Sequence, residues 1–252
     1  MKCRTSGRVF NFRIVAAVIG VTLAACGQSG EHSLIHRFVF GSTRQIKDVQ
    51  PVAGFLPEPS LLQPGGWGQA ARVYRNPTAN FASYNKIFLD PVTIWTTPDS
   101  ALNSVPERTR QAAANRFYAD LYNALSKHCL MVTSLSRPGT MHLRVALTDA
   151  RTANALLNTV ATYAPYGVST GYSLAMLAFN NGVSRFAGTA TAEEYATDAT
   201  SGTLLWQAVD KRGGTTALVA NTFNSWRDVD RAFRAWSANL VAMLRQLGAC
   251  RK

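Results

Sequence analysis

Acidic side chains are scarce in this chain: 14 Asp and Glu stand against 26 Lys and Arg in 252 residues, and charged residues make up only 16%. Disordered chains carry more charge and fewer apolar residues than the 47% found here, so a wholly unfolded protein is excluded. Histidine is also rare, limited to His32, His36, His128 and His142. His128 and Cys129 are adjacent rather than spaced, and no second Cys/His pair exists to complete a zinc site. Four cysteines are too few for a disulfide-dense scaffold. No stretch reaches the roughly 18 consecutive apolar residues of a spanning helix. What is present in excess is positive charge, +12 formally, which by itself would point to nucleic acid or an anionic membrane.

The location of that charge changes its meaning. Lys2, Arg4, Arg8 and Arg13 precede an uncharged run over 14–25 (IVAAVIGVTLAA), the layout of a secretory signal peptide. The run closes on Leu23-Ala24-Ala25-Cys26, which resembles the bacterial lipobox, with Cys26 as the lipid-attachment residue. Three acyl chains at about 0.8 kcal/mol per buried methylene make such an anchor effectively permanent. Gly27, rather than Asp, follows the cysteine, which favours sorting to the outer membrane, facing the periplasm. Cleavage after residue 25 removes four basic residues and no acidic one, leaving 22 against 14, a mature charge of +8. Nucleic acid then drops out as a partner. Cys129 and Cys250 remain in an oxidising compartment, either as a candidate disulfide or as two free thiols.

The mature chain divides into a tether over 26–50 and a single domain over 51–252. The tether has no sustained period and as a flexible chain spans roughly 25–30 Å. Pro57, Pro59 and Pro64 predict irregular backbone wrapped on the domain over 52–68. The segment 86–95 (KIFLDPVTIW) reads as a strand with a bulge or edge at Pro91. Ser104 and Glu107 read as a capping box opening a helix to about 127, with Ala113, Phe117, Leu121 and Leu125 in its stripe. Segment 141–149 alternates cleanly: Met141, Leu143, Val145 and Leu147 face one side, His142, Arg144, Ala146 and Thr148 the other. Segments 186–197 and 203–209 predict a hairpin, with 210–214 (DKRGG) a solvated basic turn after it. Ser225 with Asp228 opens a second helix carrying Val229, Phe233, Trp236, Leu240 and Leu244, closed by Gly248. This order predicts an α+β fold: a mostly antiparallel sheet with two long amphipathic helices packed on one face. Residues 155–182 contain no charge and read as a buried crossover or as an exposed apolar surface for a partner or the bilayer.

Motifs with chemistry are few. Gly167-Val168-Ser169-Thr170-Gly171 matches the nucleophile elbow, but no histidine follows Ser169, so His128 or His142 would have to serve in an unusual order. Gly66-Trp67-Gly68 imitates a dinucleotide fingerprint, with Pro-rich sequence where its strand should be. Glu193 and Glu194 are strand neighbours that point to opposite faces, so they cannot act as one acid/base pair. No catalytic, cofactor or metal residue is assigned on these grounds.

Several stretches taken in order resemble the bacterial lipoprotein family known as domain of unknown function 3313. They are FLPEPSLL with Phe55-Leu56 and Ser60-Leu61, YNKIFLDPV with Tyr84 and Leu89-Asp90-Pro91-Val92, and Leu143-Arg144-Val145-Ala146 with Thr148-Asp149. Glu194, Asp198, Gly202-Thr203-Leu204, Asp210 and the helix bearing Trp236 continue the likeness to about residue 247. Pro59 and Ser201 depart from its pattern, in loops. The resemblance implies a lipoprotein setting and no established activity. The expected function is therefore that of a non-enzymatic outer-membrane lipoprotein that binds an envelope protein partner or organises the envelope. The alternative is a binder of anionic ligand such as lipopolysaccharide phosphate or acidic lipid, and a serine hydrolase using Ser169 ranks third.

Overall fold

The computed structural model describes residues 43–135, 138–152, 188–214 and 226–250. Cys26, Ser169, Ser225 and the uncharged 155–182 segment lie outside them. The two periodic stripes fold as α1 (Glu107–Leu125) and α2 (Arg227–Gln246). Their buried residues include Phe117, Leu121 and Leu125 on α1, with Val229, Phe233, Trp236, Leu240 and Leu244 on α2. Each set sits three or four residues apart, which places it on one helix face.

The start of α1 differs from the capping-box expectation. Pro106 occupies the N-cap with no side-chain cap, and the Ser104 hydroxyl donates to Ala101 O, closing a 3-10 turn over Ala101–Ser104. Ser104 lies two residues too early once Pro106, whose fixed φ suits a helix entry, takes that position. Glu107 instead pairs with Arg110 one turn on.

Nine strands are described: β1 (Thr43–Ile46), β2 (Gln63–Pro64), β3 (Arg72–Arg75), β4 (Lys86–Leu89), β5 (Thr93–Ile94), β6 (Leu130–Met131), β7 (Thr140–Arg151), β8 (Thr189–Asp198) and β9 (Leu204–Gly214). They form one mixed sheet in the order β2-β3-β9-β8-β7-β4-β6, with β1 added to β9 and β5 to β7. Pairing is antiparallel from β2 through β7 and parallel where β4 and β5 meet β7 and where β6 meets β4. Asp90 and Pro91 interrupt the expected single strand into β4 and β5, since proline cannot donate to the ladder. The domain is α+β as the pattern implied, and its sheet is antiparallel for most of its width.

Three stretches assigned to loop or tether are strand, the shortest being Gln63–Pro64, which pair with β3 inside the segment expected to be irregular. Thr43–Ile46 pair with Lys211–Gly214, and Val49 is buried, so the domain starts inside the segment assigned to the tether. For the same reason 210–214 is not a solvated turn: β9 runs to Gly214, satisfied on one edge by β8 and on the other by β1. The hairpin turn itself is fixed by Asp198. Its Oδ1 accepts from the amides of Thr200 at 3.0 Å and Ser201 at 2.6 Å, and Oδ2 accepts from the Tyr84 hydroxyl at 3.0 Å. Burial opposes the Asp198 charge, but these donors outweigh it and hold its pKa below the usual carboxylate range.

Both helices lie on one sheet face. Phe117 stacks on Phe233 with ring centroids 4.6 Å apart and planes 7° from parallel, and Trp236 leans on Phe117 at 5.4 Å. Below them sit Ile87, Leu89, Met141, Leu143, Val145 and Leu147, the alternating residues of β4 and β7. The opposite face is covered by the irregular segment after β1, whose Val49, Leu56 and Leu62 pack with Ala71 and Val209 in a second, smaller core. A disulfide joins Cys129, just past α1, to Cys250, just past α2, and ties the ends of both helices together.

Candidate functional site

Alternation on β7 sends His142 and Arg144 to the face opposite the helices. The covering strap reaches across β3, β9 and β8 through specific polar contacts. The Val52 amide donates to Glu193 Oε1 at 2.5 Å, Trp95 Nε1 donates to Ala53 O at 3.0 Å, and Glu58 exchanges main-chain hydrogen bonds with the buried Gln207 side chain. Over β4 and the first half of β7, His142 and Arg144 keep solvent access, most of it at Arg144, and a polar cluster lies there.

Asp90, the residue after β4 and before Pro91, is its centre, and its amide still donates to Leu143 O on β7 at 3.0 Å. Asp90 Oδ2 accepts from Arg144 Nε at 2.8 Å and lies 2.9 Å from His142 Nε2. A carboxylate only accepts, so the shared hydrogen belongs to Nε2 of the imidazole. Arg144 NH1 donates to the Tyr195 hydroxyl at 3.0 Å. Hydrogen bonding to Tyr195, then to Asp90, pushes the Arg144 pKa further up against the opposing effect of burial. The guanidinium is thus held at two of its donors while its side chain stays 49% exposed, leaving the remaining N–H groups for an outside acceptor. Aromatic rings continue the patch: Tyr195 meets Phe55 edge-on at 5.4 Å, Phe55 meets Trp95 at 5.9 Å, and Phe88 meets His142 at 5.3 Å. Such an array can grip a polar, acceptor-bearing group beside apolar surface.

The buried carboxylates do structural work. Asp210 Oδ1 accepts from the Ala71 amide at 2.8 Å and Gln45 Nε2 at 2.5 Å, and Oδ2 from Trp236 Nε1 at 2.7 Å and Arg212 Nε at 3.0 Å. One side chain thereby joins β1, the entry to β3 and α2. Glu193 lies under the strap with no exposed surface, and burial pushes its pKa up to about 7 despite the Val52 amide. Glu194 points to the helix side, where burial and then the nearby Asp210 charge push it up to about 8. The two do face opposite sides of the sheet.

Among the residues considered from sequence, Cys129 lies in the disulfide with Cys250, and Gly66-Trp67-Gly68 forms the tip between β2 and β3 with no helix after it. Among the described residues, no three His, Cys, Asp or Glu side chains converge as metal ligands, and no helix is long and apolar enough to cross a membrane. Sequence reasoning missed Asp90 and Tyr195 as partners of His142 and Arg144. The signal available was the proline after Asp90, which breaks the strand and turns the carboxylate toward its neighbour.

These features define an α+β domain: one mixed sheet, two disulfide-linked helices on one face and an N-terminal strap on the other. The chain belongs to the family described as Protein of unknown function (DUF3313), whose model matches residues 52–240. Among solved structures it is similar to PelC from Paraburkholderia phytofirmans, crystallised as a dodecamer, at 12% identity over 67% of this chain and 95% of that one, with a TM-score of 0.35. It is also similar to a DUF4136 family protein from Bacteroides thetaiotaomicron, at 11% identity over 71% of this chain and 96% of that one, with a TM-score of 0.32. No curated protein matches the chain.

Proposed function

We propose that the chain is an outer-membrane lipoprotein, anchored through Cys26 and facing the periplasm, whose domain binds an envelope protein partner and is not an enzyme. The observation that supports partner binding is the row Trp95, Phe55, Tyr195 and Arg144, with the guanidinium half exposed and braced by Asp90. Arginine and large aromatics dominate the energetic centres of protein interfaces, and a braced side chain loses little entropy on contact. The signal sequence and the Leu23-Ala24-Ala25-Cys26 box support the anchor.

A photo-crosslinker placed at Phe88 in intact cells, beside the patch, tests partner binding. A discrete adduct that disappears in Arg144→Glu and survives in Arg144→Lys is the expected result; adducts indifferent to residue 144 refute it. A Cys26→Ala variant that still fractionates with outer membranes would contradict the anchor.

A second reading, supported by the mature excess of +8 and the exposed Arg44, Lys47 and Arg75, is a domain that binds phosphate-bearing envelope lipid. Binding to such lipid that is unchanged between low and high salt would exclude it, because exposed charges are screened beyond roughly 10 Å at 0.1 M. A serine hydrolase at Ser169 ranks last, since no histidine follows Ser169 in the chain and an unusual triad order would be required. Labelling by a serine-reactive probe that persists in Ser169→Ala would remove it.

A further inference from the structure

Trp67, at the tip between β2 and β3, is fully exposed at 101%, whereas Trp206 and Trp236 are buried in the core. A single exposed apolar residue on a floppy loop would need no explanation. This loop is built. The Gly65 amide donates to Ala71 O at 2.9 Å, the Gly66 amide to Gln69 Oε1 at 2.8 Å, and the Gln69 amide to Gly66 O at 3.3 Å. A Cβ at Gly65 would stand 1.8 Å from Ala70 O, so the turn closes only with glycine there. From outside, Lys47 Nζ donates to Gly65 O at 3.0 Å and Gln45 Nε2 to Gln69 O at 2.7 Å. The second glutamine bond, to buried Asp210, ties the loop to the core.

Both supporting side chains come from β1 or the residue after it, the point where the segment leading from Cys26 enters the domain. Sixteen residues lie between Cys26 and Thr43, and a stretch of that length spans at most about 60 Å in any conformation. The loop therefore stays within reach of whatever surface holds Cys26. Arg44 and Lys47 are exposed beside it and match anionic headgroups, while an indole joins an apolar ring to a polar N–H and is favoured at the headgroup level of bilayers.

We propose that the Trp67 loop seats the domain in the interfacial layer of the bilayer that carries the Cys26 lipid. The inference rests on the anchored-lipoprotein reading above. Seating through Trp67 orients the domain, with β7 and its Arg144 patch three strand spacings from β3, about 14 Å along the sheet.

The test uses the full-length acylated protein in vesicles of phosphatidylethanolamine and phosphatidylglycerol containing phospholipid brominated on its acyl chains. Tryptophan quenching is compared between wild type and Trp67→Phe, and flotation with the vesicles and the mass of the N-terminal peptide are read on the same samples. Because the side chain is fully exposed, the exchange leaves the core untouched. The expected result is that both proteins float with acylated Cys26 and that the emission contributed by Trp67, the wild-type minus variant difference, is quenched by at least half. Flotation of both with equal fractional quenching overturns the inference and leaves the anchor standing. Protection of Trp67 from aqueous acrylamide before vesicles are added, the sign of a protein partner or second copy on the loop, also overturns it. Unmodified Cys26 with no flotation refutes the anchor and the inference together.

Discussion

Removing the disulfide, in a Cys129→Ala/Cys250→Ala double variant, should unfold the domain at a much lower temperature through an effect on the denatured chain. The bridge closes a loop over a sequence separation of 121. In the chain-entropy relation that closure is worth about 5 kcal/mol at 25 °C, against about 3 kcal/mol for a 15-residue loop. A domain of this size shifts its melting temperature by about 2–4 °C per kcal/mol, so the variant should melt about 10–20 °C lower. Both sulfurs are buried, at the ends of the two helices that cover the sheet, so their truncation adds a small packing loss in the same direction. The mechanism leaves a second signature. A crosslinked denatured state is more compact, so the urea m-value should rise in the variant, because its unfolded chain exposes more surface. Calorimetry with parallel urea titrations reads both quantities. A variant melting within about 2 °C of wild type refutes the account. So does thiol titration of denatured, unreduced protein that finds two free thiols at these positions. A lower melting temperature with an unchanged m-value would retain the bridge but locate its effect in native packing.

Phe117→Ala removes the ring stacked on Phe233 and touching Trp236, and should cost about 3–5 kcal/mol by chemical denaturation; a loss below about 1 kcal/mol would mean that the helix pair does not rely on this stack. Stability should fall with rising pH. The folded chain holds protons on Glu193 up to about 7 and Glu194 up to about 8, whereas the unfolded groups release theirs near 4.5. The native state therefore binds more protons across that window, and unfolding free energy declines from about pH 4.5 until it levels off above about pH 8. Glu193→Gln, which cannot ionise, should flatten the slope and be more stable than wild type at pH 8; parallel pH profiles would show that Glu193 is not responsible. Gly214→Ala places a Cβ 2.3 Å from the carboxylate carbon of Asp228, itself held by the Gly188 amide and Arg231. It should cost about 1–3 kcal/mol by the same denaturation assay, and a neutral result would show that Asp228 can move aside.

Local pattern, by itself, determined the two long helices and the long central strand. Spacings of three and four residues fixed α1 and α2 and the residues they bury, and the alternation from Met141 to Leu147 fixed which face of β7 meets the core. Periodicity is written within a few turns or pleats, so it survives without knowledge of the fold. The proposed export signal and Cys26 anchor rest on sequence alone, because their residues lie outside the described ones. Tertiary structure decided what depends on partners distant in the chain. Lys211–Gly214 look like a solvated turn until β1 supplies the opposite edge, and Ser104 looks like a cap until Pro106 occupies the helix entry. Asp90 lies 52 residues before His142, and Tyr195 lies 51 after Arg144, yet they meet because β4 lies parallel to β7 and β8 antiparallel to it. Asp210 gathers donors from β1, the β3 entry and α2 in the same way. Strand pairing sets such meetings, and register is a property of two segments together that neither carries alone.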